Sequence, residues 1–85
     1  VIDRDGKLAG VITDGDLRRH MGAGLLQATV DEVMTSSPKT VRPDQLAGEA
    51  LQILNSSKIT ALIVVEAGRP VGIVHLHDLL RAGVA

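Results

Sequence analysis

The chain has 85 residues, a formal net charge of −1, no aromatic residues and no cysteines. A chain this short buries only roughly 60–65% of the surface that its unfolded form exposes, so it corresponds to one small domain or part of one. The lack of a basic stripe with stacking aromatics argues against nucleic-acid binding, and the lack of cysteine excludes a disulfide framework or a thiolate metal site. No apolar run approaches the ~18 residues of a membrane-spanning helix and no signal peptide is recognisable, so the sequence predicts a soluble, cytoplasmic protein without a membrane partner.

The first half of the chain has the pattern of a hairpin followed by short helices. Asp5-Gly6 between two apolar runs is a strong hairpin-turn signal, and Thr29–Glu32 has the spacing of a capping box, which predicts a helical turn. The run Ser36–Pro38 predicts a break in the chain. In chain order the predicted elements are strands at 1–3 and 8–13, a helix at 14–21, an apolar connector at 25–30 and a short turn that ends near Met34.

The second half begins with a short extended piece at 39–42, after which Pro43-Asp44 opens a predicted helix that runs to about Ser57. The apolar residues of this helix form one stripe, namely Leu46, Ala47, Ala50, Leu51 and Leu54. Residues 61–66 are almost continuously apolar, as expected of a buried strand. A turn at Ala67-Gly68, a strand at 70–75 and a helix at 76–82 complete the prediction.

The chain contains an internal repeat, which becomes visible when Val1 is placed on Val64 with one gap in the turn. This alignment pairs Gly6 with Gly68, Gly10 with Gly72, Asp16 with Asp78, Leu17 with Leu79 and Arg19 with Arg81. The second copy is preceded by a strand and a helix that the first copy lacks. We therefore predict one and a half repeats of a β-α-β-β-α unit, with the C-terminal part of the first repeat at 1–28 and a linker plus the complete second repeat at 29–85.

The repeated pattern resembles the CBS domain, a family that normally works in tandem pairs. The resemblance is carried by the run Gly10–Leu17, by Val33–Thr35, by Thr40–Asp44, and by the strand pair 62–65 and 71–74. It implies an α/β (α+β) fold with small mixed sheets flanked by helices, a truncated first repeat, and nucleotide binding at the Gly-x-x-Thr-x-x-Asp motif.

A narrower resemblance links Gly10–Arg19 and Gly72–Gly83 to the C-terminal region of bacterial arabinose-5-phosphate isomerases. It implies an upstream sugar-isomerase domain in the full-length chain and a role in the Kdo and lipopolysaccharide pathway. The implied regulatory ligand is CMP-Kdo, and AMP or ATP is the alternative for a general adenosine-sensing CBS pair. No cofactor is implied for this part of the chain.

Thr13 and Asp16 admit two interpretations. A Thr followed three residues later by an acid is a capping box. A helix N-terminus directly after a strand is also an anion site, where Thr13 would hold a phosphate and the Asp16 carboxylate would accept hydrogen bonds from ribose. Gly10 would let the backbone approach that ligand closely. The repeat and the resemblance favour ligand binding without excluding the cap, whereas Arg19 and Arg81 are expected to be solvated or to form salt bridges.

In the second copy His75 stands where Thr13 stands. An imidazole donates a hydrogen bond to phosphate, or pairs with it when protonated, but it is not expected to replace the hydroxyl as a compact cap. His75 and His77 share a strand face, yet zinc needs three or four ligands, so no metal is predicted. Lys39 and Thr60 occupy positions that line the ligand cleft in the family, with ordinary surface polarity as the alternative. The predicted ligand contacts are Gly10, Thr13, Asp16, Lys39, Thr60, His75, His77 and Asp78.

The residues contain no set of nucleophile, base and orienting group, which argues against an enzyme in its own right. A ligand-sensing regulatory module is the main hypothesis, and a structural dimerisation module without ligand is the alternative. Because the first repeat is incomplete, one sheet edge is expected to be uncovered. We therefore predict a homodimer, with the helices at 14–21 and 76–82 near the interface.

Overall fold

A computed structural model describes residues 1–83 of the chain. The chain divides into two units, Val1–Pro38 and a second unit that begins at Lys39. Both units combine short strands with short helices, which confirms the predicted α+β class. The division of the sequence into the end of a first repeat at 1–28 and a linker plus second repeat at 29–85 stays a prediction.

The first unit opens with the predicted hairpin. An isolated bridge joins Ile2 to Leu8, and Gly6 adopts a φ of 81° in the turn between them, a conformation that glycine reaches without steric cost. The elements that follow are strand β1 (Gly10–Val11), helix α1 (Asp14–Arg19), a 3-10 turn (Leu25–Gln27), helix α2 (Val30–Val33) and strand β2 (Thr35–Ser36). The predicted helix at 14–21 is thus confirmed with an end two residues earlier.

Strand β2 was not expected from the sequence, which predicted a chain break at Ser36–Pro38. Thr35–Ser36 instead pairs antiparallel with β1, with Gly10 opposite Ser36 and Val11 opposite Thr35. Of the strand predicted over 8–13, the structure retains Leu8, in the bridge to Ile2, and β1. A two-residue pairing between segments 25 residues apart leaves no periodic signal in the sequence, because strand periodicity needs several residues to register.

The predicted capping box at the start of α2 does not form. Thr29 is the N-cap residue by backbone position, but its side chain makes no cap hydrogen bond. The hydroxyl donates to the Asp31 carboxylate two residues along. The Thr29 side chain is oriented towards this neighbouring carboxylate and not towards the N–H groups of the helix start, a local alternative that the spacing alone does not distinguish from a capping box.

The second unit contains a three-stranded mixed sheet and two helices. Its elements are strand β3 (Thr40–Val41), helix α3 (Ala47–Ser57), strand β4 (Ala61–Glu66), strand β5 (Arg69–His75) and helix α4 (Leu76–Arg81). In this sheet β3 is parallel to β4 and β5 is antiparallel to β4, in the order β3-β4-β5. The small mixed sheet is therefore confirmed, and so is the helix predicted at 76–82, which ends one residue earlier.

Helix α3 begins at Ala47, four residues later than the predicted start at Pro43. The preceding segment is a turn in which the Arg42 N–H donates to Gln45 Oε1 at 2.8 Å and the Gln45 N–H donates to the Arg42 carbonyl at 3.1 Å. These bonds hold the chain in a turn, and the helix starts only after it. The predicted end at Ser57 is confirmed, with Lys58 in the left-handed conformation that commonly ends helices.

The core of the second unit is wholly aliphatic. Its buried members are Val41, Ala50, Leu54, Leu62 and Leu79. Leu54 and Leu62 are 1% and 0% exposed, whereas Leu46 at the start of the predicted stripe is 71% exposed. The stripe therefore reaches the core only from Ala50 onwards. None of the helices among residues 1–83 has the length and apolar character needed to cross a membrane.

Candidate functional site

Thr13 and Asp16 form a complete capping box at the start of α1. The Thr13 hydroxyl accepts a hydrogen bond from the Asp16 N–H at 3.3 Å. The Asp16 Oδ2 atom accepts from the Thr13 N–H at 2.9 Å and from the Thr13 hydroxyl at 3.1 Å. Two backbone donors at the helix start are thereby satisfied reciprocally, so the structural interpretation of this pair is confirmed.

The Asp16 side chain is also tied to residues outside the capping box. Its Oδ1 atom accepts a hydrogen bond from the Thr35 hydroxyl at 2.6 Å and forms an ion pair with Arg19. Asp16 is 1% exposed and is the buried charged residue of the part of the chain described by the structure. The Thr35 hydroxyl, the Thr13 backbone N–H and the other donors stabilise the carboxylate against the cost of burial and lower the pKa of Asp16 from 3.8 to about 2.

Thr35 is the residue of this site that the sequence did not single out. It stands 19 residues after Asp16 and on a different element. The sequence placed Thr35 in a run typical of the family, which was the one available signal, but nothing in its spacing related it to Asp16.

Gly10 is buried at the pairing of β1 with β2. A Cβ placed on Gly10 would lie 2.6 Å from Met34 Sδ and 2.8 Å from the Thr35 carbonyl oxygen. At its repeat counterpart Gly72, a Cβ would meet Val64 at 3.7 Å, which is ordinary contact. Glycine at position 10 is thus required by packing within the first unit, and this requirement is sufficient to explain the residue without a ligand.

His75 is the N-cap residue of α4, contrary to the expectation that an imidazole would not act as a cap. Its Nδ1 atom accepts a hydrogen bond from the His77 N–H at 3.2 Å. The two imidazole rings are stacked, with centroids 5.0 Å apart and an angle of 23° between the planes. Nδ1 has its lone pair free to accept only when it is unprotonated, so this geometry leaves Nε2 as the donor that a ligand would meet.

Asp78 shares with its counterpart Asp16 the ion pair to an arginine three residues later, but it lacks the hydroxyl contacts of Asp16. Its side chain is 63% exposed, and its hydrogen-bond partner among residues 1–83 is Arg81, with which it forms an ion pair. The expectation that Arg19 and Arg81 form salt bridges is confirmed in both copies. The second carboxylate therefore retains unused acceptor capacity.

Four of the predicted residues lie at one end of the sheet in the second unit. Lys39 immediately precedes β3, Thr60 immediately precedes β4, and His75 is the last residue of β5 and pairs with Ala61. Asp78 follows in α4, whose first residue, Leu76, donates its N–H to the Thr60 carbonyl at 2.7 Å. The backbone positions of a lysine, a threonine, a histidine and an aspartate thus lie towards this end of the sheet, and the His77 ring stacks on that of His75.

The remaining predicted residues, Gly10, Thr13 and Asp16, belong to the first unit. Within residues 1–83 the structure brings no group of three His, Cys, Asp or Glu side chains together in a geometry suited to a metal ion.

Comparison with known proteins identifies the class of this chain. The model of the CBS domain family matches residues 1–23 and 30–85. The chain belongs to the CBS domain family. The CBS domain pair of protein MJ0100, solved in complex with 5′-methylthioadenosine and S-adenosyl-L-methionine, superposes with a TM-score of 0.83 at 28% identity, covering 98% of this chain and 66% of that one. CBSX2 in complex with AMP superposes with a TM-score of 0.79 at 31% identity, covering 99% of this chain and 68% of that one.

Among curated proteins, the arabinose 5-phosphate isomerase KdsD of Pseudomonas aeruginosa is 58% identical to this chain over 87 residues. The match covers 99% of this chain and 27% of that relative, so the chain spans about a quarter of the isomerase.

Proposed function

We propose that this chain is the regulatory, nucleotide-sensing CBS module of a cytoplasmic arabinose-5-phosphate isomerase, with catalysis carried out by an upstream sugar-isomerase domain. The identity of 58% to KdsD over the whole chain supports the parent enzyme. The two CBS structures solved with adenosine derivatives support the class of ligand. The observation that carries the proposal for this chain is the placement of Lys39, Thr60, His75 and Asp78 towards one end of the sheet.

These four side chains offer a nucleotide complementary chemistry. The Asp78 carboxylate accepts hydrogen bonds from ribose hydroxyls, and the Lys39 ammonium attracts a phosphate or a sugar carboxylate. The Nε2–H of a neutral His75 donates to an anionic oxygen, while Nδ1 continues to accept the hydrogen bond from the His77 N–H that caps α4. Of the two binding modes left open for His75, the neutral imidazole is the one that this geometry favours, because protonation of Nδ1 would break the hydrogen bond from the His77 N–H.

As the particular nucleotide we propose CMP-Kdo, a cytidine and not an adenosine derivative, since its sugar carboxylate adds a second anionic group for Lys39 and His75. Binding of a pathway product to a regulatory module would provide feedback on the isomerase. Competition between CMP-Kdo and AMP on this chain tests the assignment. Calorimetry is suitable, because the chain has no aromatic residues to report binding by fluorescence.

Tighter binding of CMP-Kdo than of AMP supports the proposal. Tighter binding of AMP, with no measurable binding of CMP-Kdo, identifies a general adenosine-sensing CBS pair and removes the support for feedback by the sugar nucleotide. Absence of binding for both ligands, together with an unchanged Tm in their presence, contradicts the sensing function.

A dimerisation module is the second candidate, because apolar side chains remain exposed on the two helices predicted to lie near an interface. Leu17 on α1 is 40% exposed and Leu80 on α4 is 46% exposed. A homodimer through these helices is the proposed assembly for either function. Light scattering at high concentration tests it, with Leu17→Lys and Leu80→Lys expected to yield monomers. A monodisperse monomer for the unmodified chain contradicts it.

A further inference from the structure

The two copies of the repeat carry the same carboxylate in different environments. The side chain of Asp16 is 2% exposed, whereas the side chain of Asp78 is 63% exposed. Asp16 and Asp78 occupy the same position in helices of equal length, six residues each. Because the backbone position is the same, the difference arises from the side chains around each carboxylate: Thr13 and Thr35 donate to Asp16, whereas His75 stands in the place of Thr13 in the second copy.

We infer that Asp16 is a structural anchor that fastens β2 to α1 and takes no part in ligand binding, so that the chain holds a nucleotide at the carboxylate of the second copy alone. The statement about nucleotide binding rests on the proposed nucleotide-sensing function. The structural role of Asp16 rests on the contacts within the first unit alone.

The acceptor sites of the Asp16 carboxylate are fully used. A carboxylate offers about four lone-pair positions. At Oδ2 the donors are the N–H and the hydroxyl of Thr13, and at Oδ1 they are the Thr35 hydroxyl and the Arg19 guanidinium. A ribose hydroxyl would have to displace one of these four donors. Because Asp16 is only 1% exposed, its carboxylate also offers no surface that a ligand could approach.

The contact with Thr35 gives the carboxylate its anchoring role. Thr13 and Arg19 lie on or next to the helix that carries Asp16, but Thr35 lies in β2. The Thr35 hydroxyl bond at 2.6 Å therefore connects α1 to a strand that has just two residues to hold it in place. In the second copy the His75 side chain caps the helix by accepting a hydrogen bond from the His77 N–H. Among the described residues, no hydroxyl donates to the Asp78 carboxylate, whose partner is Arg81.

Calorimetric titration with AMP, combined with thermal unfolding by circular dichroism, tests the inference on four chains: the unmodified protein, Asp16→Asn, Thr35→Val and Asp78→Asn. We expect one AMP per unmodified chain. Asp78→Asn should weaken AMP binding about 10- to 100-fold, because it removes the charged carboxylate to which the ribose hydroxyls of the ligand donate. Tm should change little. Asp16→Asn and Thr35→Val should lower Tm and change the affinity less than about twofold.

Two AMP molecules per chain would overturn the inference, as would a loss of affinity in Asp16→Asn equal to that in Asp78→Asn at unchanged Tm. Thr35→Ser keeps the hydroxyl and should restore the Tm that Thr35→Val loses, which separates the hydrogen bond from a general effect of the substitution. If Asp16→Asn does not fold, Thr35→Val and Thr35→Ser carry the test.

Absence of AMP binding in every chain would count against adenosine sensing and not against the anchor. In that case the unfolding data decide, because an anchor requires the Tm losses of Asp16→Asn and Thr35→Val to be less than additive in the double variant. Fully additive losses would show that the two residues act independently and would overturn the anchoring role.

Discussion

Replacing Gly10 with alanine is expected to destabilise the first unit, because the packing of β1 against β2 leaves no space for a Cβ. The added methyl carbon would lie 2.6 Å from Met34 Sδ and 2.8 Å from the Thr35 carbonyl oxygen. The methionine side chain is able to move at small cost, but the carbonyl belongs to the backbone of β2. Overpacking that forces a backbone shift typically costs about 1–3 kcal/mol.

Gly72→Ala is the matched control for this substitution, since Gly72 is the repeat counterpart of Gly10. Its Cβ would lie 3.7 Å from Val64, and the substitution restricts the unfolded chain, so the expected effect is neutral or stabilising by up to about 1 kcal/mol. For a domain of this size, 1 kcal/mol shifts Tm by roughly 4–8 °C. Thermal unfolding by circular dichroism should therefore show Gly10→Ala at least about 4 °C below the unmodified chain and Gly72→Ala at or above it.

Equal Tm values for the two alanine variants would refute the argument from packing. A Gly10→Ala chain that keeps its Tm but loses affinity for a nucleotide would instead restore the predicted role of Gly10 in a close approach of the backbone to the ligand.

Three further predictions concern stability. Because the pKa of Asp16 falls from 3.8 to about 2 on folding, its ionised form stabilises the fold above about pH 4, and denaturant unfolding should show this contribution lost as the pH falls towards 2, but not in Asp16→Asn. Ala67→Asn should raise Tm by removing part of the roughly 1–2 kcal/mol cost of an alanine at φ 53° in the β4–β5 turn, and an unchanged Tm would count against strain there. Leu54→Ala should cost about 2–5 kcal/mol of unfolding free energy and the exposed Leu46→Ala less than about 0.5, and similar losses for both would contradict the assigned core.

The parts of the fold that depend on neighbouring residues were predictable from the sequence. Gly6 and Gly68, paired by the repeat, adopt φ values of 81° and 80° in their turns, so the alignment of the two copies reproduces the backbone. Helices α1 and α4 also start at the same aligned position, directly after Thr13 and His75. Local turn and cap chemistry leaves a signature in adjacent residues, which explains this success.

Contacts between distant segments were not predictable in the same way. The pairing of β1 with β2 and the bond from Thr35 to Asp16 join residues at least 19 positions apart. The start of α3 was misplaced because side-chain hydrogen bonds at Gln45 favour a turn over the helix that Pro43-Asp44 suggested. His75 was misjudged because its partner as a cap is the His77 N–H rather than the N–H of Asp78.

The repeat supplies the same strand-turn-strand-helix backbone twice, but it does not determine what each carboxylate does. After the first copy the chain continues through residues 20–34 and returns as β2, which places the Thr35 hydroxyl on Asp16. In the second copy His75 stands in place of Thr13, and Asp78 has an exposed carboxylate paired with Arg81. The hydroxyls of Thr13 and Thr35 beside Asp16, and the histidine in place of the threonine beside Asp78, therefore give the two aspartates different surroundings on the same backbone.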